Sequence, residues 1–277
     1  MKEQKSAVFF ALISGLAWSF TGLFSRLVSW NPFTLVGLRA PIALLIIGLG
    51  RGRVRIRPNN GLWISAAGIP LTSLMFMAAN RLTTAANAIV LQYTASIFVM
   101  LYSLLVKKQK PLKSEVIAAF FVFFGVILCF MGGLSGGGLL GDCIALLSGV
   151  TFAMVFLAAR YSGNSPIDGV YFGTLVSCVF VLAVPFDSTF RPTATQLLVM
   201  LALGLGLGLG YLFFSMGMQR GLSPVKACII SNVEPVLNPT WVALLLGQSP
   251  GLFSILGAVT VLLAITLQSL YEMRRNS

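Results

Sequence analysis

Leu12-Ile13-Ser14-Gly15-Leu16-Ala17-Trp18 and, 134 positions later, Leu146-Leu147-Ser148-Gly149-Val150-Thr151-Phe152 read almost alike. Each has an arginine eight residues past its aromatic, Arg26 after Trp18 and Arg160 after Phe152. Both stretches open an apolar run, and four more apolar runs follow each of them. Five membrane crossings leave a chain on the far side, so a second copy of a five-helix unit must insert in the opposite orientation.

Composition places the chain in a bilayer. Hydrophobic residues make up 57% of 277 positions, charged ones 9%, and the mean hydropathy is +0.92. A soluble domain carries about 25% charged residues and could not cover its surface with so few. Apolar runs near 20 residues recur, the length that spans the hydrocarbon core as helix. The ~10-residue alternating segments of a membrane β-barrel are absent. Ten helices are predicted, over 6–27, 33–50, 61–80, 84–106, 114–131, 139–160, 168–186, 194–219, 224–247 and 251–271. The fold class is therefore all-α integral membrane, ten transmembrane helices as two inverted five-helix repeats. The repeats cover 1–131 and 139–277, joined by the glycine-rich linker 132–138, within one membrane domain.

The basic residues give the orientation. With the N-terminus inside, fifteen of the 19 lysines and arginines fall in cytoplasmic links and three (Arg26, Arg81, Arg191) outside, with Arg39 inside the second helix. In the first half the basic links follow helices two and four of the unit; in the second they follow helices one and three. The charge bias changes sides while the helical pattern persists, as inversion requires. The expected location is the inner membrane of a cell, with both termini cytoplasmic. Met1-Lys2-Glu3-Gln4-Lys5 leads into an apolar run without a small-residue cleavage site, which reads as a retained helix rather than a signal peptide. The net charge of +12 serves topology, so no nucleic-acid partner is expected. Cys129, Cys143, Cys178 and Cys228 have neither a disulfide framework nor a metal-ligand spacing.

Function-bearing residues are few. Among seven acids, Glu234 alone lies mid-helix, where an ionisable group costs at least ~2.5–3.5 kcal/mol and faces a cavity or a partner. It reads as a proton-coupling carboxylate, a counter-charge for a cationic substrate group, a structural partner of Lys226 or Arg39, or a cap for backbone groups freed by the prolines after it. Pro235 and Pro239 follow it and should kink or unwind the ninth helix. At helical spacing Ser231, Glu234, Asn238 and Trp241 share a face, read as a cavity wall. Gln92 and Tyr93 occupy the matching place in the fourth helix. Trp18 and Phe152 stand mid-depth in helices one and six, lining a pocket or packing a core. Arg39 could grip a carboxylate bidentately or serve backbone carbonyls. Gly204, Gly206, Gly208 and Gly210 present two Gly-x-x-x-Gly faces on the eighth helix, which lets neighbours approach and suggests a moving, gating element along with the prolines. A nucleotide-binding reading of this run fails because no strand precedes it.

The order of these features resembles the drug/metabolite transporter superfamily in its bacterial EamA-type branch. The resemblance rests on the Ser-Gly-x-x-aromatic openings at 14–18 and 148–152, Arg39 early in helix two, Ala86-Asn87-Ala88-Ile89, and Glu234-Pro235 followed by Leu244-Leu245-Leu246-Gly247. It departs at Ala95, where the family commonly has proline, and at Gln248, where it has an acid. The resemblance implies a secondary transporter of small organic solutes, amino acids or related metabolites first, with export favoured and alternating access as the mechanism. A multidrug or organic-cation efflux carrier and an uncoupled facilitator are the alternatives. An enzyme is disfavoured: without histidine and with one mid-membrane carboxylate, convergent acid, base or ligand groups cannot be assembled. The expected partners are a small-molecule substrate and the bilayer, with no cofactor and no metal; a monomer suffices.

Overall fold

The computed structural model describes residues 2–275 except 26, 53–55, 57, 109, 132–137, 164, 238–240 and 242–250. Its first half contains α1 (Lys2–Ser25), α2 (Pro32–Arg51), α3 (Asn60–Leu82), α4 (Ala85–Gln92), α5 (Ala95–Leu105) and α6 (Lys113–Phe130). The second contains α7 (Leu139–Arg160), α8 (Pro166–Ser177, continued as a 3-10 helix over Cys178–Phe186), α9 (Ala194–Gln219), α10 (Pro224–Ser231), a short α11 over 233–237, and α12 (Leu252–Arg275). No strand occurs among the described residues. Six helical segments among them are long and apolar enough to cross a membrane: Pro32–Arg51, Asn60–Leu82, Asn87–Leu105, Leu139–Arg160, Pro166–Phe186 and Ala194–Gln219.

Local chemistry sets the helix ends. Asn31 and Asn59 side chains accept from the N–H groups of Phe33 and Leu62, and Pro32 and Pro224 occupy first helical positions where no N–H is needed. Thr193 and Gln196 form a reciprocal capping box at the start of α9.

Two of the expected spans are broken. The ninth divides at Asn232, between α10 and α11. Pro235 accounts for the position: it has no N–H for the Ser231 carbonyl four residues back, and its ring crowds that carbonyl. The expected kink is thus found, while Asn238 and Pro239 lie outside the described residues. The fourth span, expected as one helix over 84–106, divides at Tyr93-Thr94 without any proline. There the backbone tightens, with Thr94 N–H donating to Leu91 O three residues back at 3.3 Å. The Thr94 hydroxyl competes for the same carbonyl at 2.5 Å, and the Ser96 hydroxyl donates to Tyr93 O at 3.3 Å. A third departure is the 3-10 stretch at Cys178–Phe186, which contains Pro185 and carries α2 on its backbone: a β-carbon at Gly37 would sit 2.5 Å from Val181 N.

The halves interleave. α1 packs along α9 and α3 along α7, so the first helix of each half lies on the third helix of the other. α2 meets α8 and α9, and α6 lies along α12. At the centre Trp18, Phe152, Phe156, Tyr211 and Phe214 interlock, with ring centroids 4.9–6.0 Å apart and most planes steeply inclined. Ile229 and Ile230 of α10 are buried in the same core.

One charge has a different place from that expected. Arg51, read as a loop charge, is buried at the end of α2 and pairs through Nε with Asp168 Oδ1 at 2.6 Å, and its guanidinium lies 5.0 Å from the Tyr171 ring centre. Both side chains of the pair are almost completely buried, at 2% and 0% exposure, so removing either leaves an uncompensated charge. On the opposite side of the bundle Arg81 Nη2 donates to the carbonyls of Val28 and Trp30, each at 3.0 Å.

Candidate functional site

The repeated Ser-Gly-x-x-aromatic openings have matching surroundings. A β-carbon on Gly15 would come within 2.5 Å of Val233 and 3.5 Å of Ser231 O, the break in the second half. One on Gly149 would come within 2.8 Å of Thr94 Oγ1 and 3.0 Å of Gln92 O, the break in the first half. Each opening glycine thus admits the broken helix of the other half. The aromatic three residues later, Trp18 or Phe152, then meets its counterpart at 6.0 Å between the two breaks.

A cavity of about 60 Å3 lies there, lined by Trp18, Thr21, Arg39, Thr72, Ser73, Phe76, Gln92, Phe152, Leu207, Tyr211 and Glu234. Five sequence-predicted residues, Trp18, Arg39, Gln92, Phe152 and Glu234, therefore share one space. Tyr93 adjoins it, edge-on to Phe152 at 6.3 Å, and its buried hydroxyl faces Glu234. Tyr211 lies within electrostatic reach of both Arg39 and Glu234.

Arg39 is 3% exposed, and its Nε and Nη1 find no hydrogen-bond partner. No ion pair joins it to Glu234, so the pairing entertained from sequence is not formed. A buried guanidinium carries several kcal/mol of desolvation cost unless an anion or acceptor engages it. Glu234 keeps partial exposure towards the cavity. One space thus holds an unengaged cation, a carboxylate, hydroxyls and an aromatic wall, a set suited to orienting a small polar solute rather than to bond-making chemistry.

Of the remaining predicted stripe, Ser231 and Trp241 are not among the residues lining this cavity, and Asn238 lies outside the described residues. Ser231 is buried with its hydroxyl unpartnered, beside Asn232, whose Oδ1 is also unpartnered and whose amide donates to Cys228 O at 2.7 Å. Trp241 instead donates to Ser19 Oγ at 2.8 Å and stacks on Phe20 with centroids 4.5 Å apart. Helical spacing between Ser231 and Glu234 fails because the break at Asn232 lies between them and resets the phase of the helix.

The α9 glycines are contact points. A β-carbon on Gly204 would sit 2.5 Å from Ile42, on Gly208 2.8 Å from Ile46, and on Gly206 2.9 Å from Ala17 O, while one on Gly210 would collide with the Trp18 indole. Two faces result as expected, one against α2 and one against α1, along a helix that is continuous over 26 residues.

Sequence reasoning passed over Tyr211, Thr72 and Ser73. Tyr211 directly follows Gly210, and the glycine that lets α1 approach is what brings it beside Trp18, at 5.3 Å. Thr72 follows Pro70 in α3, donates to Gly68 O at 2.6 Å, and bonds Thr151 of α7 at 2.9 Å. A hydroxyl pair just past a helix proline was the available signal.

Comparisons with known proteins agree in kind. The chain is 21% identical over 252 residues to the uncharacterized transporter YyaM of Bacillus subtilis, covering 84% of this chain and 81% of that one. It is 22% identical over 287 aligned positions to an uncharacterized transporter of Clostridium kluyveri, covering 94% and 92%. A crystal structure with 19% identity superposes with a TM-score of 0.81 over 97% of this chain and 98% of that one, a likeness of fold. The profile of the EamA-like transporter family matches residues 5–131 and again 139–270. Matched once in each half and over most of its length, the chain belongs to the EamA-like transporter family and is a membrane transporter of that type.

Proposed function

We propose that the chain carries small zwitterionic organic solutes, amino acids or related metabolites, by alternating access between its two halves. The observation that carries this reading is Arg39, buried with two unengaged nitrogens in the same cavity as Glu234. A solute with a carboxylate for Arg39 and an ammonium for Glu234 would satisfy both charges at once. Gln92, Tyr93 and Tyr211 add neutral hydrogen-bonding groups, and Trp18 and Phe152 form the apolar wall; Ser231 is taken to support the second break and Trp241 to hold α1 through Ser19 and Phe20. Cavity size favours a small solute, since about 60 Å3 is well below the ~300–1,000 Å3 of drug-sized pockets. An organic-cation carrier is the second reading, favoured by Glu234 and opposed by a buried arginine in the same space.

The reading includes ten crossings as two inverted repeats. The exchanged packing of α1 on α9 and α3 on α7 supports it, as do the loop charges that change sides between the halves. The same charges argue for cytoplasmic termini in the inner membrane of a bacterium. Export is favoured by the family resemblance. Glu234 is the group proposed for proton coupling, and the α9 glycines with Pro235 and Pro239 are the proposed gating elements. Purified chain in proteoliposomes should take up labelled amino acids with saturation and counterflow. Flux confined to cationic dyes would transfer the function to the second reading, and flux linear in concentration would remove the carrier mechanism.

A further inference from the structure

A second cavity, of about 390 Å3, opens between α6 and α12 on the outside of the bundle. One end is polar, formed by Lys113 and Ser114 at the start of α6 with Gln268 and Tyr271 of α12. The other is apolar, formed by Ile117 and Phe121 with Leu267. From Lys113 to Phe121 the groove runs two helical turns, about 12 Å along the helix. Ile117, Phe121, Leu267 and Tyr271 are 57%, 46%, 63% and 56% exposed, so no part of this chain among the described residues covers them.

We propose that this groove holds one anionic phospholipid, with its phosphate at Lys113 and Ser114 and an acyl chain along Ile117, Phe121 and Leu267. Charge complementarity selects the headgroup. Lys113 is exposed at the groove mouth, and Lys107, Lys108 and Lys110 precede it in the chain. Ser114 Oγ is fully buried without a hydrogen-bond partner and supplies a donor for a phosphate oxygen. The N-terminal end of the α6 helix dipole adds positive potential at the same end. Glu115, the one acid in that turn, is engaged by Leu112 N–H at 2.9 Å. A second copy of the chain fits less well, because a two-fold contact between parallel copies would bring identical basic ends together.

Native mass spectrometry of the full chain, delipidated and then exchanged with phosphatidylglycerol or phosphatidylcholine, tests the assignment. One phosphatidylglycerol should be retained in preference to phosphatidylcholine, and it should raise the melting temperature. Lys113→Gln should weaken retention about five-fold, the share of one basic group at a membrane surface, while Lys113→Arg keeps it. Ile117→Trp should expel the lipid although the lysine remains, and Arg191→Gln, outside this basic cluster, should change nothing. Equal retention of the two lipids, retention that survives both Lys113→Gln and Ile117→Trp, or dimers cross-linked through this face would each overturn the proposal. Transport is not read in any arm, so a failure here is separate from a failure of the proposed substrate.

Discussion

The fourth and ninth spans break at matching places, and they treat the break differently. At Tyr93-Thr94 the chain closes on its own backbone, the Thr94 and Ser96 hydroxyls bonding the carbonyls of Leu91 and Tyr93, and it leaves the neutral Tyr93 hydroxyl buried without a partner. At Asn232 the chain stays open: Ser231 Oγ and Asn232 Oδ1 are buried without partners, and a carboxylate follows two residues later. A closed break offers rigid neutral groups, Gln92 and Tyr93. An open one offers charge and unspent hydrogen-bonding capacity where a solute or a proton can use it. Duplication supplied two equivalent scaffolds, and their chemistry has since become complementary.

That contrast can be broken most directly by Glu234→Gln beside Thr94→Val. Losing the charge should cost ~2–5 kcal/mol of solute binding, at least about 30-fold in apparent affinity, whereas Thr94→Val should lower thermal stability and leave affinity near wild type. Comparable losses of transport in the two variants would show that the breaks are equivalent after all. If protons are coupled, Glu234→Gln should also flatten the pH profile of uptake.

Tyr93→Phe sharpens the contrast by removing the first break's one group aimed at the second. The hydroxyl has no hydrogen-bond partner at rest; engaging the Glu234 charge once a solute is bound would be worth ~1.5–3 kcal/mol, so affinity should fall about ten-fold or more, and the loss should vanish in a Glu234→Gln background. Additive losses in a double-mutant cycle would mean that the hydroxyl acts on something else.

Gly210→Ala tests what the breaks share, the Trp18 wall. The added methyl meets the indole, and overpacking of this kind costs ~1–3 kcal/mol. The melting temperature should fall, and solutes should lose affinity without any change in pH profile; an unchanged melting temperature would show that α1 and α9 yield freely.

Asp187 should have the smallest effect. It lies outside the spans, where slight burial raises its pKa but is outweighed by hydrogen bonds from Thr189 and the Asn31 N–H, at 2.6–2.9 Å, so the carboxyl sits below its ordinary value. A lowered value in the folded state means that its contribution is present above the unfolded pKa, about 3.9, and is lost as pH falls through the folded value. Asp187→Asn should blunt the acid limb of a melting-temperature profile below about pH 4 and leave uptake intact. A transport defect would extend the site to the α2 entry turn.

Much of this was legible in the sequence because it is written locally. The repeat, the apolar runs and the loop charges need no tertiary knowledge, and Trp18, Phe152, Gln92 and Glu234 stood out as polar or aromatic groups at matching places in the two halves. The remainder depends on what meets what. Arg51 and Asp168 look like ordinary link charges until two elements 117 residues apart bring them together. The break at Tyr93-Thr94 left no proline to mark it, and hydroxyls that bond backward are common in unbroken helices too. Ser231 is separated from Glu234 by a break that resets the phase a periodic reading carries through it. Tyr211 was hidden among glycines whose own role drew the eye.

The crossed seating of Gly15 and Gly149 has a consequence for assembly. Each glycine leaves room for a break that belongs to the other half, so neither half can complete its own cavity wall. Two fragments severed within 132–137 should therefore be inert apart and regain uptake when synthesised together, and a methyl placed at Gly15 on one fragment should be relieved by shortening Val233 on the other. The unit that folds to a working site is the pair.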